Sequence, residues 1–127
     1  MEPKGEGEEA RRMMIEHCSF GQVVIDGQPY GDVLIVAGQI RPRNRELLKQ
    51  LYGTSHTVGA EEKSELLSGK PDYLIIGTGQ YGSLKVPEEV VTAAKQQQTK
   101  VIIKNTPEIS SDFNSLWHKG FKINALI

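Results

Sequence analysis

Two short, unbroken apolar runs, Tyr73-Leu74-Ile75-Ile76 and Val101-Ile102-Ile103, constrain this chain more than any other feature. Each is short for a helix and lacks polar alternation, as expected of a strand covered on both faces. Between them, Pro87-Glu88-Glu89 opens a helical stretch. The proline suits the first helical position and the acids suit the positive end of the helix dipole, while Val90, Val91 and Ala94 form the buried stripe. After the second run, Thr106-Pro107 reads as an N-cap and first-turn pair. Ile109, Phe113, Leu116 and Trp117 then recur at helical spacing, and Gly120 ends the helix. Phe121, Ile123 and Ala125 alternate in a last strand. The order is β-α-β-α-β, which predicts two successive right-handed crossovers and parallel strands.

The N-terminal half reads as antiparallel. Val23-Val24-Ile25, the turn Asp26-Gly27, then Tyr30 and the run Val33 to Val36 predict a hairpin. Gly38-Gln39-Ile40 opens a further extended piece. Arg43 to Tyr52 predicts a short helix with Leu47, Leu48 and Leu51 on one side and Gly53 as its stop. Ala60 to Leu67 predicts another, with acids in its first turn and Gly69 placed to end it.

Residues 1–12 carry four Glu, two Gly and a Pro without apolar periodicity, and are expected to form a flexible tail. Residues 13–127 are then expected to form a single α/β domain. A chain of 127 residues buries about two-thirds of its unfolded surface and needs no metal or disulfide staple. Cys18 is the only cysteine, which excludes an internal disulfide and points to a reducing, cytoplasmic setting. Apolar runs fall well short of the ~20 residues of a membrane helix, and the acidic N-terminus has no signal-peptide pattern. The net charge of −1 gives no global electrostatic case for nucleic acid or for an anionic membrane.

Gly77-Thr78-Gly79-Gln80-Tyr81-Gly82 is literally G-x-G-x-x-G after a strand. Dinucleotide binding requires a helix to start within that motif, so that its amides meet the pyrophosphate. Here the helix waits until Pro87, and the next strand ends Ile103-Lys104-Asn105 without the acid that would hold a ribose. The expected role is close backbone packing, and no cofactor is expected.

Arg41-Pro42-Arg43-Asn44-Arg45 sets three guanidiniums at alternate positions, which in an extended chain share one face and suit a phosphate or carboxylate. The competing reading is a solvated basic turn, since no aromatics interleave to stack bases. Tyr52-Gly53-Thr54-Ser55-His56 sets hydroxyls beside an imidazole. Ser55 and His56 are chain neighbours and point apart in extended geometry, so a hydroxyl-capped turn is favoured over a nucleophile and base. His17, Cys18, His56 and His118 are scattered without ligand spacing, and no metal is expected. Trp117 belongs to the core stripe.

Taken in order, Cys18-Ser19-Phe20-Gly21, Arg41-Pro42-Arg43, Tyr52-Gly53-Thr54-Ser55-His56, Ile75-Ile76-Gly77-Thr78-Gly79 and Leu84-Lys85-Val86-Pro87 resemble the adipogenesis-associated domain family, in its archaeal hypothetical-protein branch. The resemblance runs from about Met14 onward. Distant relatives in that family include a mitochondrial complex I assembly factor. It implies three layers around a mixed central sheet, with helices on one face and a small antiparallel sheet with further helix on the other. No catalytic residues carry across. The non-archaeal branch has Trp-rich segments where this chain has Ile40-Arg41-Pro42-Arg43, so the complex I role is not transferred.

The expected function is a non-enzymatic interaction or assembly-type module. Its anion-favouring crevice is expected at the carboxyl end of the strand leading to Gly77, where crevices form in open α/β sheets. The candidate binding residues are Arg41, Arg43, Arg45, Thr54, Ser55, His56, Gly77, Thr78, Gly79 and Gly82. The expected occupant is a group on a protein partner or a small anionic ligand. The alternative is a small-molecule enzyme with His56 as general acid or base, which needs Glu61 or Thr54 to converge on the imidazole. RNA binding through the arginines ranks last, because no basic stripe extends them.

Overall fold

A computed structural model describes residues 13–19 and 21–127; the tail expected over residues 1–12 lies outside them. Three strands, β1 (Ile15–Ser19), β2 (Gln22–Ile25) and β3 (Gln28–Tyr30), form an antiparallel sheet in that order. Five more form the central sheet: β4 (Val33–Val36), β5 (Gln39–Pro42), β6 (Tyr73–Gly77), β7 (Lys100–Lys104) and β8 (Ile123–Leu126). Their spatial order is β5-β4-β8-β6-β7. β6 runs parallel to both β7 and β8, and β4 runs antiparallel to β5 and β8, so the sheet is mixed. The helices are α1 (Arg45–Tyr52), α2 (Ala60–Leu67), α3 (Glu88–Gln96) and α4 (Thr106–His118).

Strand alternation divides the core in two. Ile35, Ile75, Ile123 and Ala125 face Ile109, Phe113 and Trp117 of α4, and Val23 and Ile25 of the small sheet complete that layer. Leu34, Leu74, Ile76 and Leu126 face the other way, onto Leu66 of α2 and Val90 of α3. The result is three layers, with helices on one face and the small sheet plus α4 on the other. The step from β6 to β7 passes one face and the return to β8 passes the opposite one, so both crossovers have the same hand.

Two asparagines bind the layers through both ends of their amides. Asn124, buried on the central strand β8, donates to the carbonyls of Leu66 (2.8 Å) and Ser68 (3.2 Å), and its Oδ1 accepts from Ala37 (3.2 Å). Asn114 on α4 bonds both backbone groups of Ile15, at 2.8 and 2.9 Å, and so holds the small sheet against the helix. Phe113 and Trp117 stack with ring centroids 5.4 Å apart.

Several local expectations are corrected. The Asp26-Gly27 turn does join two paired strands, but Val33–Val36 is not the hairpin's second arm. The chain breaks at Gly31-Asp32 and β4 enters the other sheet. Val101-Ile102-Ile103 is not covered on both faces, because β7 is the sheet's edge and Ile103 is 40 % exposed. β6 is covered on both faces as expected, and so is β8, all of whose residues are buried in place of the expected alternation. Pro87 is the N-cap of α3, not its first residue, and Asn105 precedes Thr106 as the N-cap of α4.

Candidate functional site

The carboxyl ends of β6, β7 and β8 and the start of β4 meet at one edge of the central sheet. The loop after β6 crosses the first turn of α4 there. Thr78 N–H donates to the Lys104 carbonyl (2.9 Å), Gly79 N–H donates to Thr106 Oγ1 (2.8 Å), and Thr106 N–H donates back to the Gly79 carbonyl (3.0 Å). Thr106 is thus occupied by the loop rather than by capping its own helix. A Cβ on Gly77 would sit 2.8 Å from Thr106 Oγ1 and 3.3 Å from Thr106 Cα, so glycine is what allows this crossing. α3 begins only at Glu88, and no helix starts inside the glycine motif.

The segment after α1 is tied to the same loop. Gly53 ends α1 with φ +76°, in the left-handed region, and its N–H donates to the Lys49 carbonyl (2.9 Å). Thr54 Oγ1 accepts from the His56 N–H (3.0 Å), a hydroxyl-closed turn. Lys85 N–H donates to the His56 carbonyl (2.9 Å), and Leu84 N–H donates to the Thr78 carbonyl (3.1 Å). These bonds bring Ser55-His56 alongside the glycine loop.

The three arginines go separate ways. Alternation holds through β5 and just past it, so Arg41 and Arg43 both face α2. Arg41 pairs with Glu65. Arg43 is buried; its Nε and Nη2 donate to the two Glu62 carboxylate oxygens at 2.7 and 2.9 Å, its Nη1 to the Ser55 carbonyl at 2.6 Å, and its Nη2 also to the Thr57 carbonyl. Glu62 Oε1 additionally accepts from the Gly59 N–H (3.0 Å). At Arg45 the chain becomes helical, the period changes, and this side chain departs from the other two. Its Nε lies 3.4 Å from Ser55 Oγ and 3.8 Å from Asp32 Oδ2, with half the side chain exposed.

A cleft of about 280 Å³ opens between these segments. It is lined by Arg43, Arg45, Ser55, His56, Gly77, Thr78 and Gly79 among the residues expected from sequence, and also by Asp32, Leu84, Leu126 and Ile127. Arg41 lines a separate groove between α1 and α2. Thr54 serves its turn, and Gly82 packs toward Asn105, where an added Cβ would meet Oδ1 at 3.3 Å. The His56 side chain makes no hydrogen bond with Thr54 or Glu61; Thr54 is held by backbone and Glu61 lines the α1–α2 groove. Asp32 escaped sequence reading because its only signal was the interruption between two apolar runs. Leu84, Leu126 and Ile127 look like any core residue until the strand order is known.

Among the described residues, no three His, Cys, Asp or Glu side chains are grouped to hold a metal, and no helix is long and apolar enough to cross a membrane. Burial pushes the Cys18 thiol above the ordinary cysteine range.

The fold has counterparts. The conserved hypothetical protein PH1505 from Pyrococcus horikoshii is 36 % identical with a TM-score of 0.78, over 91 % of this chain and 97 % of that one. A second structure, MT938, is 31 % identical with a TM-score of 0.74, over 91 % and 96 %. A Bordetella pertussis protein, described as a Mth938-like domain from its solution structure, is only 13 % identical with a TM-score of 0.59, over 100 % and 91 %, and shares the fold alone. No curated protein matches the chain. Residues 15–127, which contain every strand and helix described above, match the family model "Protein of unknown function (DUF498/DUF598)". The chain therefore belongs to the DUF498/DUF598 family and carries a Mth938-like fold.

Proposed function

We propose that the chain is a non-enzymatic binding module, of interaction or assembly type, that takes an anionic group in the cleft beyond the carboxyl ends of β6 and β8. One observation carries this reading. The Arg45 guanidinium stands half exposed in the cleft beside the Ser55 hydroxyl, with only a 3.8 Å contact to Asp32, while Arg41 and Arg43 bond directly to carboxylates of α2. A guanidinium offers a planar fork of donors that fits a carboxylate or phosphate. Ser55 Oγ adds a hydroxyl donor from a buried position. The occupant is a group on a protein partner or a small anionic ligand in the cytoplasm, with residues 13–127 acting as one domain. The motif resemblance to the adipogenesis-associated proteins belongs to this proposal, without the complex I role. An imidazole with no orienting partner among the described residues does not support the enzyme alternative.

The test follows backbone amide shifts of nitrogen-15-labelled protein during titration with 4-methylpentanoate and, separately, inorganic phosphate. The expected result is saturable shifts at Gly77–Gly79 and Ser55–His56, weakened about tenfold in Arg45→Gln, as loss of a hydrogen bond to a charged group implies. Equal affinity in Arg45→Gln and the unsubstituted protein overturns the reading.

A further inference from the structure

The cleft holds opposite charges side by side, and that arrangement narrows its ligand. Asp32, at the break between β3 and β4, and Arg45, at the start of α1, both line it, with Arg45 Nε and Asp32 Oδ2 3.8 Å apart. That separation is an ion-pair contact too long for a hydrogen bond, and Arg45 Nε donates instead to Ser55 Oγ (3.4 Å), so the Asp32 carboxylate and the outer guanidinium nitrogens are the groups open to a third party. Their side chains are 42 % and 51 % exposed, and both are reachable from solvent. A polyanion on Arg45 would meet the Asp32 carboxylate a few ångströms away, and that repulsion works against it. A lone cation on Asp32 would meet Arg45 in the same way. Leu84, half-buried, presents the cleft's aliphatic surface, and the buried Leu126 and Ile127 line it behind. Its volume of about 280 Å³ lies just under the ~300–1,000 Å³ typical of drug-sized ligands.

Resting on the reading above, we infer that the ligand is a small zwitterion whose carboxylate and ammonium are one carbon apart: a free α-amino acid with an aliphatic side chain. Its carboxylate takes Arg45 and the Ser55 hydroxyl, its ammonium takes Asp32, and its side chain lies over Leu84. A charged ligand of this kind satisfies both cleft charges at once, and its aliphatic part removes apolar lining from water.

Three probes of one skeleton separate the contributions: L-leucine, 4-methylpentanoate, which lacks the ammonium, and isopentylamine, which lacks the carboxylate. Each is titrated into the full chain and into Asp32→Asn and Arg45→Gln, with amide shifts read at the cleft. Spectra that overlay outside the cleft establish that the variants are folded. The expected result is leucine binding at least about tenfold tighter than either half-probe. Asp32→Asn should reduce leucine to the affinity of 4-methylpentanoate, and Arg45→Gln should reduce it to that of isopentylamine. If 4-methylpentanoate binds as tightly as leucine and Asp32→Asn tightens both, the zwitterion inference is overturned while anion binding stands. Leucine affinity indifferent to both variants also overturns it. Absence of cleft shifts with all three probes overturns the inference together with the reading beneath it.

Discussion

The Arg43 guanidinium donates to both oxygens of Glu62 and to the carbonyls of Ser55 and Thr57, with its side chain only 1 % exposed. Nothing in a run of three arginines distinguishes a buried member from its solvated neighbours, and its partner lies nineteen positions further on. The pairing therefore becomes visible only when β5 and α2 are packed. Removing one partner of a buried, hydrogen-bonded pair strands the other charge, at a cost of about 3–5 kcal/mol. Arg43→Ala should lose stability of that order in urea denaturation, while Arg45→Ala, on the surface, should stay within about 0.5 kcal/mol of the unsubstituted protein. Equal losses at the two positions would contradict the division of labour described above. Cys18 offers a second check on burial. Its raised pKa leaves less thiolate at any given pH, so alkylation by iodoacetamide at pH ~8 should be slower in the native protein than in urea, and should accelerate as pH rises.

Among the elements, those whose character lies in their own sequence were legible and those defined by neighbours were not. The stripe Ile109, Phe113 and Trp117 fixed the buried face of α4, and Pro87 with two acids marked the start of α3 within one residue. An apolar run, by contrast, states hydrophobicity and not what lies beside it. Val101-Ile102-Ile103 looks as covered as Tyr73-Leu74-Ile75-Ile76, yet β7 is an edge and β6 is interior. In the candidate site, the glycine loop and Ser55-His56 were legible as unusual local chemistry, whereas Asp32 depends on a strand that switches sheets. The edge position explains the lysines that bracket β7. Lys100 lies over the Tyr73 ring, 5.6 Å from its centroid, and Lys104 bonds Asp112 (2.9 Å), which raises the pKa of its ammonium. Charged residues on an edge strand discourage pairing with another chain. Lys100→Val with Lys104→Val should therefore raise light scattering on storage while leaving the far-ultraviolet circular dichroism unchanged. At the tip of β6, Gly77→Ala must push its new Cβ into Thr106, and should cost about 1–3 kcal/mol, an overpacking penalty measurable in the same urea titration.

At the scale of the whole molecule, both cores are built on one sheet, and Asn114 and Asn124 each bond across layers. If residues 13–127 are one domain, the small sheet and the central sheet must melt together. Calorimetry should then give a single transition whose measured enthalpy equals the van't Hoff value, and two resolved transitions would refute the single unit.

The strand order also dictates when the protein can finish folding. β8, the last strand in chain order, sits between β4 and β6, and so joins the β5-β4 pair to the β6-β7 pair. Until β8 has emerged from the ribosome, the edges of β4 and β6 that it pairs with have no partner strand. Nascent chains stalled before Ile123 should consequently attract chaperones that chains carrying β8 escape.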